Sequence, residues 1–242
     1  MPAQFSTTAS PSRLSMNPSS TLTIEAVSLA LVAGYVDGYA LRVFGIYVSF
    51  MSGNTTIAGI ESGLGHFLTA LIPALAIAGF VAGSFMGNWF VQSEIKHSQR
   101  LLFLASAVLI ACFVVLNLHA FPRASLSLPI LSVAMGMINP AVSRVGSEPV
   151  SLTFVTGTLN KIGNHLALAV RRAKMPDKQG TWDTHFYRAA LESSLWMGFL
   201  VGAILSGAAS RYFGVVELVP ASVTLLVFAM INRPEAQTAS VQ

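Results

Sequence analysis

Six stretches of this chain are long, unbroken and almost wholly apolar, and no other feature limits its folding choices as much. They run from Leu22 to Val43, Phe67 to Val91, Leu101 to Phe121, Leu126 to Val145, Ala189 to Ala209 and Val215 to Asn232. A helix needs about 20 apolar residues to cross the hydrocarbon core of a bilayer. A soluble chain could not cover so many such helices, because only 10% of the 242 residues are charged, where roughly a quarter is usual. The runs lack the alternation of a membrane barrel, so helices are the way their backbone satisfies itself in lipid. The chain therefore reads as an all-α, polytopic membrane protein.

Two further apolar segments, Ile46 to Ile60 and Val150 to Ala169, are dense in Ser, Thr, Asn and Gly. They are expected to be polar half-helices that dip into the membrane; if both cross fully, the chain has eight spans. The Ser-, Thr- and Pro-rich residues 1–21 lack the apolar core of a signal peptide and read as a disordered cytoplasmic tail. Residues 22–121 and 122–232 read as two membrane halves, with 233–242 as a second cytoplasmic tail.

The net charge of +4 points to topology rather than to nucleic acid, because the basic residues lie in loops. With six spans, Arg13, Lys96, Arg100, Arg171, Arg172, Lys174, Lys178 and Arg233 fall on one side and Arg42, Arg123 and Arg211 on the other. That asymmetry puts both termini in the cytoplasm. The single cysteine, Cys112, reads as a packing residue.

The chain also resembles itself. Gly34-Tyr-Val-Asp-Gly-Tyr-Ala-Leu-Arg42 is echoed about a hundred residues later by Gly136-Met-Ile-Asn-Pro-Ala-Val-Ser-Arg144, which aligns Asp37 with Asn139. Ser49-Phe-Met-Ser-Gly-Asn-Thr55 is echoed by Thr153-Phe-Val-Thr-Gly-Thr-Leu159. Gly79-Phe80 and Gly83 match Gly198-Phe199 and Gly202, with His66 and His185 preceding them at the same distance. Three matches in one order indicate a duplication. Three spans per half would turn the second half upside down, the plan of many secondary transporters.

The GYVDGYAL, FMSGNTTIAG and SLTFVTGTLNKIG runs resemble the YoaK-type family of bacterial inner-membrane proteins over about residues 22–232. The one visible departure is Gly38, where family members often carry Ala after the aspartate. The resemblance implies a multi-pass protein of the bacterial plasma membrane and supplies no substrate or activity.

Asp37 is the sharpest chemical candidate, since a carboxylate deep in a span costs roughly 2.5–3.5 kcal/mol and needs a proton, an ion, a partner or water. A structural lock, with Arg42 as partner, is the competing reading. The clusters Ser52, Gly53, Asn54, Thr55 and Thr156, Gly157, Thr158, Asn160 offer neutral donors and acceptors suited to a small polar solute or an ion, or else small residues for tight helix packing. With Asn139 as the neutral mirror of Asp37, these ten residues form the expected substrate site near the midplane. Gly79, Gly83 and Gly87, and Gly198, Gly202 and Ser206, form flat stripes for close helix contact. Lys161 is expected at the cytoplasmic interface, Glu148 and Glu192 within reach of water, and His119, His165 and His185 near solvated span ends. No pair of ligands has metal-binding spacing, and no cofactor motif or paired catalytic carboxylates are visible.

The expected function is transport of a small polar solute or cation, coupled to protons through Asp37. A non-transporting scaffold or partner subunit and a membrane-embedded lipid-modifying enzyme are the alternatives. The expected partners are the lipid bilayer, the solute, cation or proton, and a second copy in a homodimer.

Overall fold

The computed structural model describes residues 18–93, 95, 97–118, 124–142, 144, 145, 148–150, 153 and 155–231. Of these, 18–21, 124–126, 144, 145 and 148 are described by their backbone alone. Both expected tails beyond this range lie outside the described residues, as do Lys96, His119 and Arg123.

The described chain is helical almost throughout. The helices are α1 (Pro18–Phe44), α2 (Met51–Gly63), α3 (Phe67–Gln92), α4 (Ser98–Leu118), α5 (Ala124–Ile138), α6 (Val155–Val170), α7 (His185–Phe213) and α8 (Val219–Ile231). Single 3-10 segments follow α5 (Asn139–Val142) and α7 (Gly214–Leu218). Two short antiparallel strands, β1 (Arg144–Val145) and β2 (Glu148–Pro149), precede α6. Among the described residues, four helical stretches are long and apolar enough to cross a membrane: Leu22–Phe44, Phe67–Gln92, Ser98–Leu118 and His185–Ile231. The last contains both α7 and α8 and leaves the helical conformation at Gly214, where φ is 52°. Ser127–Val142 is a shorter apolar helix.

Several boundaries differ from the sequence reading for local reasons. Residues 18–21, assigned to the tail, already belong to α1. The fourth apolar run stops being α-helical at Ile138 rather than Val145, because Pro140 lacks an N–H and disfavours helix at the residue before it. The fifth begins at His185, where the Thr184 hydroxyl accepts from the Tyr187 N–H at 3.1 Å, a side-chain N-cap.

Helices distant in sequence pair. α1 packs on α7, α3 on α5 and α4 on α8, while α2 lies on α3 and α6 on α7. The glycine stripes are the seams. A Cβ on Gly198 would come within 2.8 Å of the Val27 carbonyl oxygen, and one on Gly202 would overlap the Leu31 carbonyl. In the other pair, a Cβ on Gly79 would come within 2.9 Å of the Pro129 carbonyl oxygen, and one on Gly83 would overlap that of Val133. Contacts advance together along both pairs, so α1 runs parallel to α7 and α3 to α5. Contacts between α4 and α8 run in opposite order: Ser222 Oγ donates to the Ala107 carbonyl at 2.9 Å, and Phe103 lies 5.9 Å from Phe228. Those two helices are antiparallel.

Leu29, Val36, Phe103, Ile110, Phe113, Leu131, Met135 and Leu225 fill the centre. Phe67, Leu68, Val81, Phe85, Trp89, Val108, Ile204 and Val223 are exposed, as an exterior bathed in hydrocarbon allows. Cys112 is on that exterior too, and not in the packing where the sequence put it.

Candidate functional site

The region around Asp37 is built by a reversal of the chain. α1 ends at Gly45, whose N–H donates to the Leu41 carbonyl at 2.8 Å and whose φ of 69° suits a residue without Cβ. Residues 46–50 then run back beside α1 before α2 starts at Met51. Asp37 lies about 10 Å below the end of α1 at helical rise, and it receives this returning leg. Its Oδ1 accepts the N–H groups of Val48 and Ser49, both at 2.8 Å, and its Oδ2 accepts the Ser49 hydroxyl at 2.5 Å. Asp37 is 2% exposed and Ser49 3%. The carboxylate thus sits beside the start of α2, where the helix dipole also favours negative charge.

Asn54 fastens the same leg from the other side. Its Oδ1 accepts the Tyr47 N–H at 3.0 Å and its Nδ2 donates to the Tyr47 carbonyl at 2.6 Å. Gly53 lets the Tyr47 and Phe50 rings close over α2, since a Cβ there would be 2.8 Å from each. Asp37, Gly53 and Asn54 are therefore brought together through residues 46–50. Ser52 and Thr55 are exposed, and the Thr55 hydroxyl donates back to the Met51 carbonyl at 2.8 Å.

The mirrored cluster lies elsewhere. Thr158 is buried on α6, while Thr156 and Asn160 are exposed and Gly157 is half-buried. Asn139 occupies the 3-10 turn after α5, its Oδ1 buried and without a hydrogen-bond partner among the described residues. Because α2 packs on α3 and α6 on α7, the two hydroxyl-bearing clusters pack on different helices rather than on each other.

Three groups of charged or titratable side chains were invisible as groups in the sequence. Arg42 Nη2 donates to Glu217 Oε1, and the side chain of Glu217 is fully buried. Tyr35 adds a bond from its hydroxyl to the Glu217 carbonyl at 2.7 Å. Arg42 is thus the partner of Glu217 and not of Asp37, across a separation of 175 residues. Lys161 donates to Glu192 Oε1 at 2.9 Å and to the Pro149 carbonyl. Glu192, expected within reach of water, is fully buried. Beside them, His165 and His185 face each other with Nδ1 atoms 3.2 Å apart, and His165 is buried rather than solvated.

At the start of α7, Arg188 grips the preceding loop. Its Nε and Nη2 donate to the two Asp183 oxygens, each at 2.9 Å, and its Nη1 donates to Asp177 at 2.8 Å. Those hydrogen bonds hold the Asp177 and Asp183 carboxyls below the ordinary range, against the opposing pull of desolvation.

The chain is 30% identical over 203 residues to the UPF0700 transmembrane protein RA0705 of Rhizobium meliloti (strain 1021), covering 84% of this chain and 82% of that protein. It is 28% identical over 138 residues to the UPF0700 transmembrane protein YoaK of Bacillus subtilis (strain 168), covering 54% of this chain and 61% of that one. No solved structure matches. The resemblance carried by the GYVDGYAL and SGNT motifs is borne out, and the apolar helices and these relatives mark a transmembrane protein. Residues 26–231 match the family described as "protein of unknown function (DUF1275)", and to that family the chain belongs.

Proposed function

We propose that this protein is a small-solute or cation permease of the bacterial inner membrane in which Asp37 couples a proton to movement of the leg at residues 46–50. The observation that carries this reading is the set of three hydrogen bonds that Asp37 accepts from Val48 and Ser49. A charged carboxylate accepts all three. A protonated one has an O–H of its own, which competes with the Ser49 hydroxyl for Oδ2. Proton occupancy and the seat of a non-helical segment at membrane depth are therefore linked. Irregular backbone at that depth is tolerated where it lines a cavity or is buried in protein. The exposed hydroxyls and amide of Ser52, Thr55, Thr156 and Asn160 suit a watery passage or a second copy better than hydrocarbon.

Architecture supports the same reading. Helices α4 and α8 hold equivalent places in the two halves and run antiparallel, as halves related by an axis in the membrane plane require. Counting α5 and α8 as spans and α2 and α6 as half-helices gives six crossings. Arg100, Arg171, Arg172, Lys174 and Lys178 then lie on the cytoplasmic side with both termini.

Proton flux tests this. Pyranine-loaded proteoliposomes under a potassium–valinomycin potential are given pools of amino acids, sugars, nucleosides and inorganic cations. Acidification stimulated by one pool and abolished in Asp37→Asn is the expected result. Stimulated flux that persists unchanged and pH-independent in Asp37→Asn removes Asp37 from the mechanism. A second reading, a non-transporting partner subunit or scaffold, is favoured by the fact that both Asp37 oxygens are taken by the chain itself. It expects no stimulated flux from any pool, and an Asp37→Asn effect on stability or assembly alone.

A further inference from the structure

We infer that the loop between α6 and α7 is a docking surface for the headgroups of anionic phospholipids, held by Arg171, Arg172, Lys174 and Lys178. All four side chains are exposed. Among the described residues none of the four has an ion-pair partner. The two acids of the loop are turned to Arg188 instead, Asp177 at 2.8 Å and Asp183 at 2.9 Å. Lys178 acts on Asp183 only through its field, without a contact. From Arg171 to Arg188 the chain carries five basic and two acidic side chains, so the loop keeps a positive charge that its own acids do not offset.

The loop is built rather than slack. Besides the Arg188 clasp, the Asp183 N–H donates to the Gly180 carbonyl at 3.2 Å. At the end of α6, the Arg172 N–H donates to the Ala169 carbonyl and the Ala173 N–H to the Leu168 carbonyl, both at 3.0 Å. That cap places Arg172 at a φ of 50°, a left-handed conformation that glycine usually fills. Arginine accepts backbone strain there and adds a charge. Cations at the end of α6 also favour its dipole. This accounts for Arg171 and Arg172 but not for Lys174 and Lys178, which lie beyond the last turn.

Its neighbours put the loop at headgroup depth. The apolar stretch His185–Ile231 opens where the loop ends. Val170, Trp182 and Phe186 are exposed around the cations, and the Trp182 ring meets Tyr187 edge-on with centroids 5.1 Å apart. Aromatic rings of this kind sit at the membrane–water interface. The apolar groups meet acyl chains, while guanidinium and ammonium groups on long stems reach the phosphates. Basic clusters beside a span are drawn to anionic headgroups, each cation adding its share. The connection between α2 and α3, residues 64–66, has no Lys or Arg, so this charge is particular to the α6–α7 loop. The contact requires a headgroup layer only, on either side of the membrane, and stands apart from the permease reading.

The test uses the full chain in neutral detergent, carrying Trp89→Phe and Trp196→Phe so that fluorescence comes from Trp182. Brominated phosphatidylglycerol and brominated phosphatidylcholine are the quenchers, each added to the mixed micelles. Saturable quenching by phosphatidylglycerol is expected, half-complete at about a tenth or less of the phosphatidylcholine needed. Arg171→Gln, Arg172→Gln, Lys174→Gln and Lys178→Gln should each weaken that response by up to about fivefold, the scale of one basic residue at an anionic surface. All four together should make the two lipids alike. Arg211→Gln, which alters an exposed arginine at the other end of α7, should change nothing. If the fourfold variant melts early, the single variants carry the comparison. Equal quenching by the two lipids, a preference intact in the variants, or displacement of the lipid by soluble glycerol phosphate overturns the assignment.

Discussion

Gly34 on α1 and Gly136 on α5, which align in sequence, each seat the backbone on a phenylalanine carbonyl, that of Phe199 on α7 and that of Phe80 on α3. The segments 22–121 and 122–231 are thus not two bodies side by side, since α1 packs on α7 and α3 on α5. Each lends its first helix to the other, so every glycine seam joins helices from both segments. Close approach of this kind drives association in lipid, where apolar area alone supplies little attraction between helices.

A methyl group on either glycine would overlap the facing carbonyl, and backbone cannot swing aside as a side chain can. Gly34→Ala and Gly136→Ala should each destabilise the protein by about 1–3 kcal/mol, the usual cost of overpacking. Gly59→Ala is the matched control, since a Cβ there meets nothing within 4 Å and alanine favours helix. Thermal unfolding in detergent reads all three. Equal melting of Gly34→Ala and Gly59→Ala would show that the seam gives way.

Asp37 separates two variants that a purely apolar helix position would not. Asp37→Ala leaves two buried N–H groups and a hydroxyl without their acceptor. At about 1–3 kcal/mol for each unsatisfied group, a loss of several kcal/mol is expected. Asp37→Asn keeps an oxygen for Val48 and Ser49 and turns an N–H₂ toward the Ser49 hydroxyl, so most of that loss is avoided. Asn139 already stands at the position that aligns with Asp37 in sequence. Chemical denaturation in mixed micelles measures the gap, and equal stability of the two variants would mean that residues 46–50 do not depend on this side chain.

Hydropathy carried the membrane class, most of the helix positions and the glycine seams, because lipid imposes length and close packing imposes small residues. The short helix α2, of 13 residues, falls within the segment that its density of Ser, Thr, Asn and Gly set apart from the long apolar runs. What was not legible depends on distance along the chain. Nothing near Glu217 announces that Arg42 will reach it, and residues 20 apart do not advertise the meeting of His165 and His185. Asp37 was found as an expensive residue, but its partners are backbone N–H groups, which leave no mark in a sequence. The separate packing of α2 on α3 and α6 on α7 is tertiary, and local pattern had joined them.

Arg42 and Glu217 tie the end of α1 to the turn between α7 and α8. Glu217 is buried while Arg42 is 37% exposed in its side chain, so removing the arginine strands a buried charge. Arg42→Ala should cost about 3 kcal/mol, the lower end for such losses, because water can still approach from the arginine side. Glu217→Gln with Arg42→Met removes both charges and should recover much of it. A double-mutant cycle on thermal stability checks the coupling, and additive effects would show that the pair contributes no interaction of its own.

The clasp of Arg188 on Asp183 and Asp177 predicts how the loop before α7 responds to acid. Both carboxyls titrate below their ordinary range because Arg188 donates hydrogen bonds to their charged form. A group whose folded value is lowered stabilises the fold above its unfolded value, near 3.9 for aspartate, and loses that contribution as pH falls through the lowered folded value. The loop should therefore stay fastened from neutrality down through pH 5. The amide of Gln179, which donates to Asp183 at 3.1 Å, reports on it. Its hydrogen exchange, corrected for the intrinsic pH dependence, should be the same at pH 7 and pH 5 and faster at both in Arg188→Gln. Arg188→Lys keeps the charge but not the two-pronged grip on Asp183, and should fall between them. Deprotection of Gln179 in the unaltered protein already at pH 5 would mean that histidine protonation, and not these carboxylates, governs the loop.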